Sequence, residues 1–310
     1  MMEPETTAAI IDEAQSLWRF SNDIEITLEA NPTSVEADKF AAFRMAGVNR
    51  VSLGVQALSD TDLSFLGREH SAADAMRALE IAKETFDRVS FDLIYARPEQ
   101  SLDAWEGELR RGIDLAAGHL SLYQLTIERS TPFYMRHAKG DFSMPKEELA
   151  ADFYVLTQAV MAAAGLPAYE VSNHAAAGQE SAHNMAVWRY HDYIGVGPGA
   201  HGRVSLDGVK HATRGHSAPQ IWLERAEAHG MGAHPFEALS ASEAAVERLI
   251  MGLRTTEGVA AADVKGVLDD AKMDQATAEG WLVRTNGGQR IAASREGWLR
   301  MNALIDFIVA

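Results

Sequence analysis

Four apolar runs in this chain end in, or enclose, a polar side chain. RVSLGVQ (50–56) ends in Gln56, EITLEANP (25–32) carries Glu29, RVSFDLIYARP (88–98) encloses Asp92, and HLSLYQLTIE (119–128) encloses Gln124. Glu29 and Asp92 could work as an acid and a base. Asp92 makes the strongest demand, because an unpaired carboxylate inside a buried apolar strand is costly. Taken singly, each group has a plainer explanation, a cap on a neighbouring helix or a bond to a loop amide. Four at similar spacing favour one site built from several strands.

The elements that would position them alternate. Helical spacing over 3–18 precedes a strand at 24–30. A helix over 34–47, with Ser34 as N-cap and Gly47 as stop, leads to the strand at 50–56. A helix over 71–86 capped by Ser71, a strand at 88–95, a helix over 101–117 opened by Ser101 and a strand at 119–127 follow. Such alternation builds a parallel sheet with right-handed crossovers. Ligands of such sheets gather at the C-terminal strand ends, which is where Glu29, Gln56, Asp92 and Gln124 would meet.

Composition narrows the function classes. The 310 residues are enough for a large α/β domain and a smaller one. There is no cysteine, which excludes disulfides, a thiolate nucleophile and thiolate-held zinc or iron–sulfur clusters on this chain. The 11 histidines show no metal-binding spacing. A net charge of −16 argues against nucleic acid as a partner. With no membrane-length apolar run and no signal-like N-terminus, the expected location is the cytoplasm.

After residue 130 the rhythm changes. A long helix over 145–165 and a strand at 168–175 precede SAHNMAVWRYHDYIGVGPGAHGRV (181–204), dense in His, aromatics and Gly. Its glycines at 195, 197, 199 and 202 suggest backbone pressed close to something. GVGPG is neither a dinucleotide fingerprint nor a Walker loop. From about 236, a capping box at Ser240 and Glu243, short helices and a hairpin at Asn286–Gly287–Gly288 predict a winged-helix-like unit. Its lack of a basic helix favours a packing or docking role over DNA binding. The expected segments are 1–130, 131–235 and 236–310.

EANP, SLGVQ, LGREHS, FDLIY, YQLTIE, HN followed by VW, and GPGAHG occur in the order found in a known family. Across its length the chain resembles the radical S-adenosylmethionine proteins that include oxygen-independent coproporphyrinogen III oxidase and the HemW-type heme chaperones. The resemblance implies an α/β fold, a partial (β/α)6 TIM-like barrel with a C-terminal α+β winged-helix-like domain. It implies adenosylmethionine contacts at Glu29, Gln56, Arg68 and Asp92. The family holds a 4Fe-4S cluster on CxxxCxxC and the methionine end of its cofactor on GGGTPS; neither motif occurs here. The expectation is therefore an N-terminally truncated member lacking its first two βα units, with no radical reaction of its own.

The heme-type motif HNxxYW reads HNMAVW here, with Val187 in place of Tyr. It makes His183 a heme-ligand candidate, with His201 a second candidate or a cofactor-pocket residue, and His174 a lesser one. The implied partners are heme or a porphyrin and a heme-acceptor protein. Two alternatives stand beside a radical-type heme chaperone. One is a heme carrier without catalysis, the other an unrelated barrel enzyme using Glu29 and Asp92.

Overall fold

The computed structural model describes residues 2–34, 37–129 and 131–310. The chain divides into two compact units, Met1–Glu180 and Ser181–Ala310. The expected 131–235 segment straddles that division.

The first unit runs α1 (Pro4–Leu17), β1 (Thr27–Ala30), α2 (Ala37–Met45), β2 (Arg50–Gln56), α3 (Asp60–Phe65), α4 (Ala72–Thr85), β3 (Arg88–Tyr95), α5 (Leu102–Leu115), β4 (His119–Gln124), α6 (Pro132–Ala138), α7 (Glu147–Ala163) and β5 (Asn173–Ala175). Its strands form one sheet in the order β1-β2-β3-β4-β5. The first four are parallel and β5 is antiparallel. It is an open α/β sheet, a partial barrel and not a closed one. Ser71 and Ser101 cap α4 and α5 as expected. The side chain of Ser34 lies outside the described residues, so its capping role is not described.

Strand alternation explains the polar groups inside apolar runs. Val51, Leu53 and Val55 of β2, Phe91 and Leu93 of β3, and Leu120 and Leu122 of β4 are buried. They form one core with Phe40 and Phe43 of α2, Leu79 of α4, Trp105 and Leu109 of α5, and Phe153 of α7. Successive residues of a strand point to opposite faces. The other face therefore carries Glu29 opposite Ser52, Ser52 opposite Ser90, and Asp92 opposite Ser121.

Several elements are shorter than their sequence patterns. β1 begins at Thr27, because the Asn49 side chain takes the Ile26 N–H at 2.8 Å and donates to the Ile24 carbonyl at 2.7 Å. Those backbone groups are satisfied locally instead of by a ladder. The expected strand over 168–175 is reduced to Asn173–Ala175. A tight turn consumes its first half, with the Tyr169 N–H donating to the Asn173 carbonyl at 3.1 Å.

The second unit contains α8 (Ala182–Trp188), β6 (His201–Leu206), β7 (Val209–Arg214), α9 (Pro219–His229), β8 (Glu237–Ala238), α10 (Ala241–Gly252), β9 (Val259–Ala260), α11 (Ala261–Val264), α12 (Asp270–Ala278), β10 (Leu282–Thr285), β11 (Arg290–Ala293), α13 (Arg295–Trp298) and α14 (Met301–Ile308). β6, β7 and β8 form an antiparallel sheet. Of the four glycines expected to be pressed close, two are: a Cβ at Gly195 would overlap the His201 carbonyl and one at Gly202 would meet Thr213, whereas a Cβ at Gly197 would meet nothing within 4 Å and one at Gly199 would stand 3.8 Å from Ser217. The order β10-β11-β9 gives the second small sheet, with the expected hairpin and a core of Leu249, Leu253, Val264, Met273, Leu304 and Ile308. The capping box at Ser240 and Glu243 opens α10. Among the described residues, no helix is long and apolar enough to cross a membrane.

Candidate functional site

Asp92 lies near the C-terminal end of β3, on the polar face. Gln56, the last residue of β2, bends across to it. The β2–β3 register shifts between Leu53 and Gln56, and Gln56 has φ of 71°. That left-handed conformation costs a non-glycine residue roughly 1 kcal/mol or more. It accompanies a placed amide: Gln56 Nε2 donates to Asp92 Oδ2 at 2.6 Å, and Gln56 Oε1 accepts from Arg68 Nη2 at 2.9 Å. Gln56, Arg68 and Asp92 are thus one hydrogen-bonded chain.

Arg68 reaches it through an element that the sequence pattern did not reveal. The short helix α3 is capped by Ser59 and ends in a turn at Gly67, and buried His70 bonds the Val55 carbonyl at 3.0 Å. LGREH is thereby held beside the end of β2. The loop after β3 is fixed by a second network that the sequence reading missed. Arg97 Nη2 donates to Glu108 Oε2 at 2.6 Å and to Asp62 Oδ2 at 3.2 Å, while the Leu58 N–H donates to Glu108 Oε1 at 2.8 Å. Its one signal in the sequence is Glu108, a charge on the inward face of an otherwise amphipathic helix.

The electrostatics single out Asp92. Burial pushes its carboxyl up to about 6; the Gln56 hydrogen bonds and the Arg68 charge oppose that rise, and the Glu29 charge adds to it. Its Oδ1 is buried and, among the described residues, has no hydrogen-bond partner. Glu29 is exposed at the end of β1. Between them the surface stays open at Gly54, where a Cβ would stand 3.1 Å from Asn31 Oδ1 and 3.4 Å from Gln56 Nε2.

Gln124 does not join this group. Its Nε2 donates to the Ala150 carbonyl of α7 at 3.0 Å, a structural tie between β4 and that helix. Tyr123, which sequence reasoning passed over, stands on the polar face opposite Ile94 and is partly exposed. Burial, with smaller contributions from the Asp92 and Glu170 charges, raises its pKa.

The three histidine candidates differ. His183 lies exposed in the first turn of α8, and His201 is exposed at the start of β6. His174 is closed off: it is 1% exposed within β5, and burial lowers its pKa to about 4, so the ring is neutral. Among the described residues, no three His, Asp or Glu side chains gather as a metal site.

A carboxylate with an unused buried oxygen, flanked by a second carboxylate and an oriented amide, suits the hydroxyl and amino groups of adenosylmethionine. An iron–sulfur cluster does not fit, since the chain has no cysteine to hold it.

Residues 2–111 match the Radical SAM superfamily. The chain is 33% identical over 309 residues to the heme chaperone HemW of Escherichia coli strain K12, covering 97% of this chain and 79% of that protein. It belongs to the HemW family of radical SAM proteins. This HemW-family chain is also 41% identical over 264 residues to the mitochondrial radical S-adenosyl methionine domain-containing protein 1 of Bos taurus, covering 84% of the chain. It spans 60% of the length of that relative. Among solved structures, the Escherichia coli coproporphyrinogen III oxidase HemN, a radical SAM enzyme, superposes with a TM-score of 0.78 at 18% identity, over 98% of this chain and 74% of that one. That likeness establishes the fold. Membership also removes the alternative of an unrelated barrel enzyme.

Proposed function

We propose that this chain carries the adenosine-side cofactor contacts and the heme-binding region of a HemW-type heme chaperone. Asp92, Gln56, Arg68 and Glu29 bind adenosylmethionine. The unpaired Oδ1 of Asp92, held in place by Gln56, is the observation that supports this most directly. Asp92 accepts from ribose hydroxyl or amino donors, Gln56 and Arg68 orient it, and Glu29 supplies a second negative charge for a cationic ligand. Adenosylmethionine, when bound in this family together with its cluster, supplies radical chemistry; no cysteine of this chain can hold that cluster, and no such step is assigned to it.

Heme or a porphyrin is the proposed cargo, with His183 and His201 as ligand candidates and a heme-acceptor protein as the destination. The names of the relatives and the exposure of both histidines support this. The cofactor proposal is tested by ligand-observed NMR with adenosylmethionine. Weak, saturable transfer to the ribose protons is expected for the wild type and its loss for Asp92→Ala. Equal signals from both would overturn it. Hemin titration of His183→Ala and His201→Ala tests the cargo proposal, which requires a changed absorption spectrum in at least one.

A further inference from the structure

The last residue of the HNMAVW segment opens onto a cavity. Trp188 lines a pocket of about 240 Å³ in the second unit, together with His191 and three arginines, Arg189, Arg248 and Arg290. Three arginines around one small cavity stand out in a chain of net charge −16. Two carboxylates also line it. Glu257 pairs with Arg189, whose Nε donates at 2.9 Å, and Asp263 pairs with Arg248 at 2.6 Å. Arg290 is different. Its Nε donates to the Glu257 carbonyl at 2.8 Å and its Nη2 to the Gly258 carbonyl at 2.7 Å. Neutral carbonyls thus fix the orientation of that guanidinium; among the described residues it has no ion pair within 4.0 Å, though its charge adds to the Arg189 hydrogen bond in lowering the pKa of Glu257.

The geometry points to a carboxylate-binding pocket at Trp188 that takes the acid-bearing edge of a porphyrin. A guanidinium held in place by carbonyls, with no carboxylate hydrogen-bonded to it, is a ready partner for a ligand carboxylate, which it can meet through two parallel N–H donors. Trp188 offers a flat apolar surface beside it for an aromatic macrocycle. The cavity is too small to enclose a whole porphyrin and is of a size for its carboxylate side chains, leaving the ring at the mouth. The assignment rests on the cargo proposal above and adds to it the residues that recognise the acid groups. It involves no iron ligand, so it applies to a metal-free porphyrin as well.

The test uses the full chain with protoporphyrin IX and its dimethyl ester, followed by absorbance. The diacid should bind wild type at least about tenfold more tightly than the ester, the strength expected of a hydrogen bond to a charged group. Arg290→Gln should weaken the diacid by a similar factor and leave the ester unchanged. The comparison of ligands on wild type needs no variant, so a misfolded Arg290→Gln would not spoil it. Equal affinity of diacid and ester for wild type would overturn the pocket and leave porphyrin binding in place. No binding of either would overturn the pocket and leave the cargo proposal to the hemin titration. Inorganic phosphate is the control: if it displaced the diacid at equal concentration, the site would be a general anion site and the porphyrin assignment would fall.

Discussion

Asp92 is stored in an unfavourable state. Its folded pKa of about 6 lies above the value near 3.9 of an unfolded chain. The native state therefore binds this proton more tightly than the unfolded state does. Its contribution to stability is fully present below about pH 4 and is lost as pH rises through about 6. At pH 8 the ionised, buried carboxylate costs the fold on the order of 3 kcal/mol. Asp92→Asn removes that cost. The expected outcome is a higher urea midpoint than wild type at pH 8, with the difference shrinking towards pH 4. Adenosylmethionine binding should move the opposite way, lost in Asp92→Asn at all pH values and weakened in wild type below about pH 6. A variant that lost stability at pH 8 would show that the carboxylate is held for structure and not for a ligand.

At the scale of elements, the polar face depends on loops that are themselves pinned from below. Arg97 and Glu108 are 4% and 5% exposed, and they tie the loop after β3 to α5 and to the start of α3. Removing one member leaves a buried charge without its partner, which typically costs about 3 kcal/mol or more. Glu108→Gln should lower unfolding stability by about that much, and Arg97→Met with Glu108→Leu should recover most of it. Urea titrations of the three proteins decide; a double variant as unstable as the single one would mean the ion pair itself is essential.

Much of this layer was legible in the sequence because its signals are local. Ser71, Ser101 and Ser240 cap the helices that their positions announce, and β2 and β3 match their patterns residue for residue. Glu29, Gln56 and Asp92 could be singled out because a polar group inside an apolar run is conspicuous. What escaped lacked such a signal. The six-residue helix α3 is too short to show a period, and α8 lies in a run of aromatics and glycines that hides it. The β6–β7 hairpin is set by close approaches such as Gly195 to His201, which join residues through space. Gln124 misled for the converse reason: its partner, the Ala150 carbonyl, is 26 residues away.

For the molecule as a whole, the division at Glu180 separates two kinds of core. The first is a helix-covered parallel sheet holding Asp92 and its partners; the second includes a small core around Leu249, Met273 and Leu304. The buried residues of the first core fall between Ala30 and Leu166, those of the second between Leu249 and Ile308. A cavity made in one core should therefore leave the packing of the other intact. Leu304 is 1% exposed, and Leu304→Ala removes its contacts at a cost of about 3 kcal/mol. Calorimetry of this variant should show one transition moved to lower temperature and a second unchanged. The adenosylmethionine signal that depends on Asp92 should persist between the two transitions. Porphyrin binding at Trp188 belongs to the unit that melts first in this variant, so it should vanish at the lower transition. If both ligands were lost together, the two units would unfold as one, and the cofactor and cargo sites would have to be treated as a single cooperative structure.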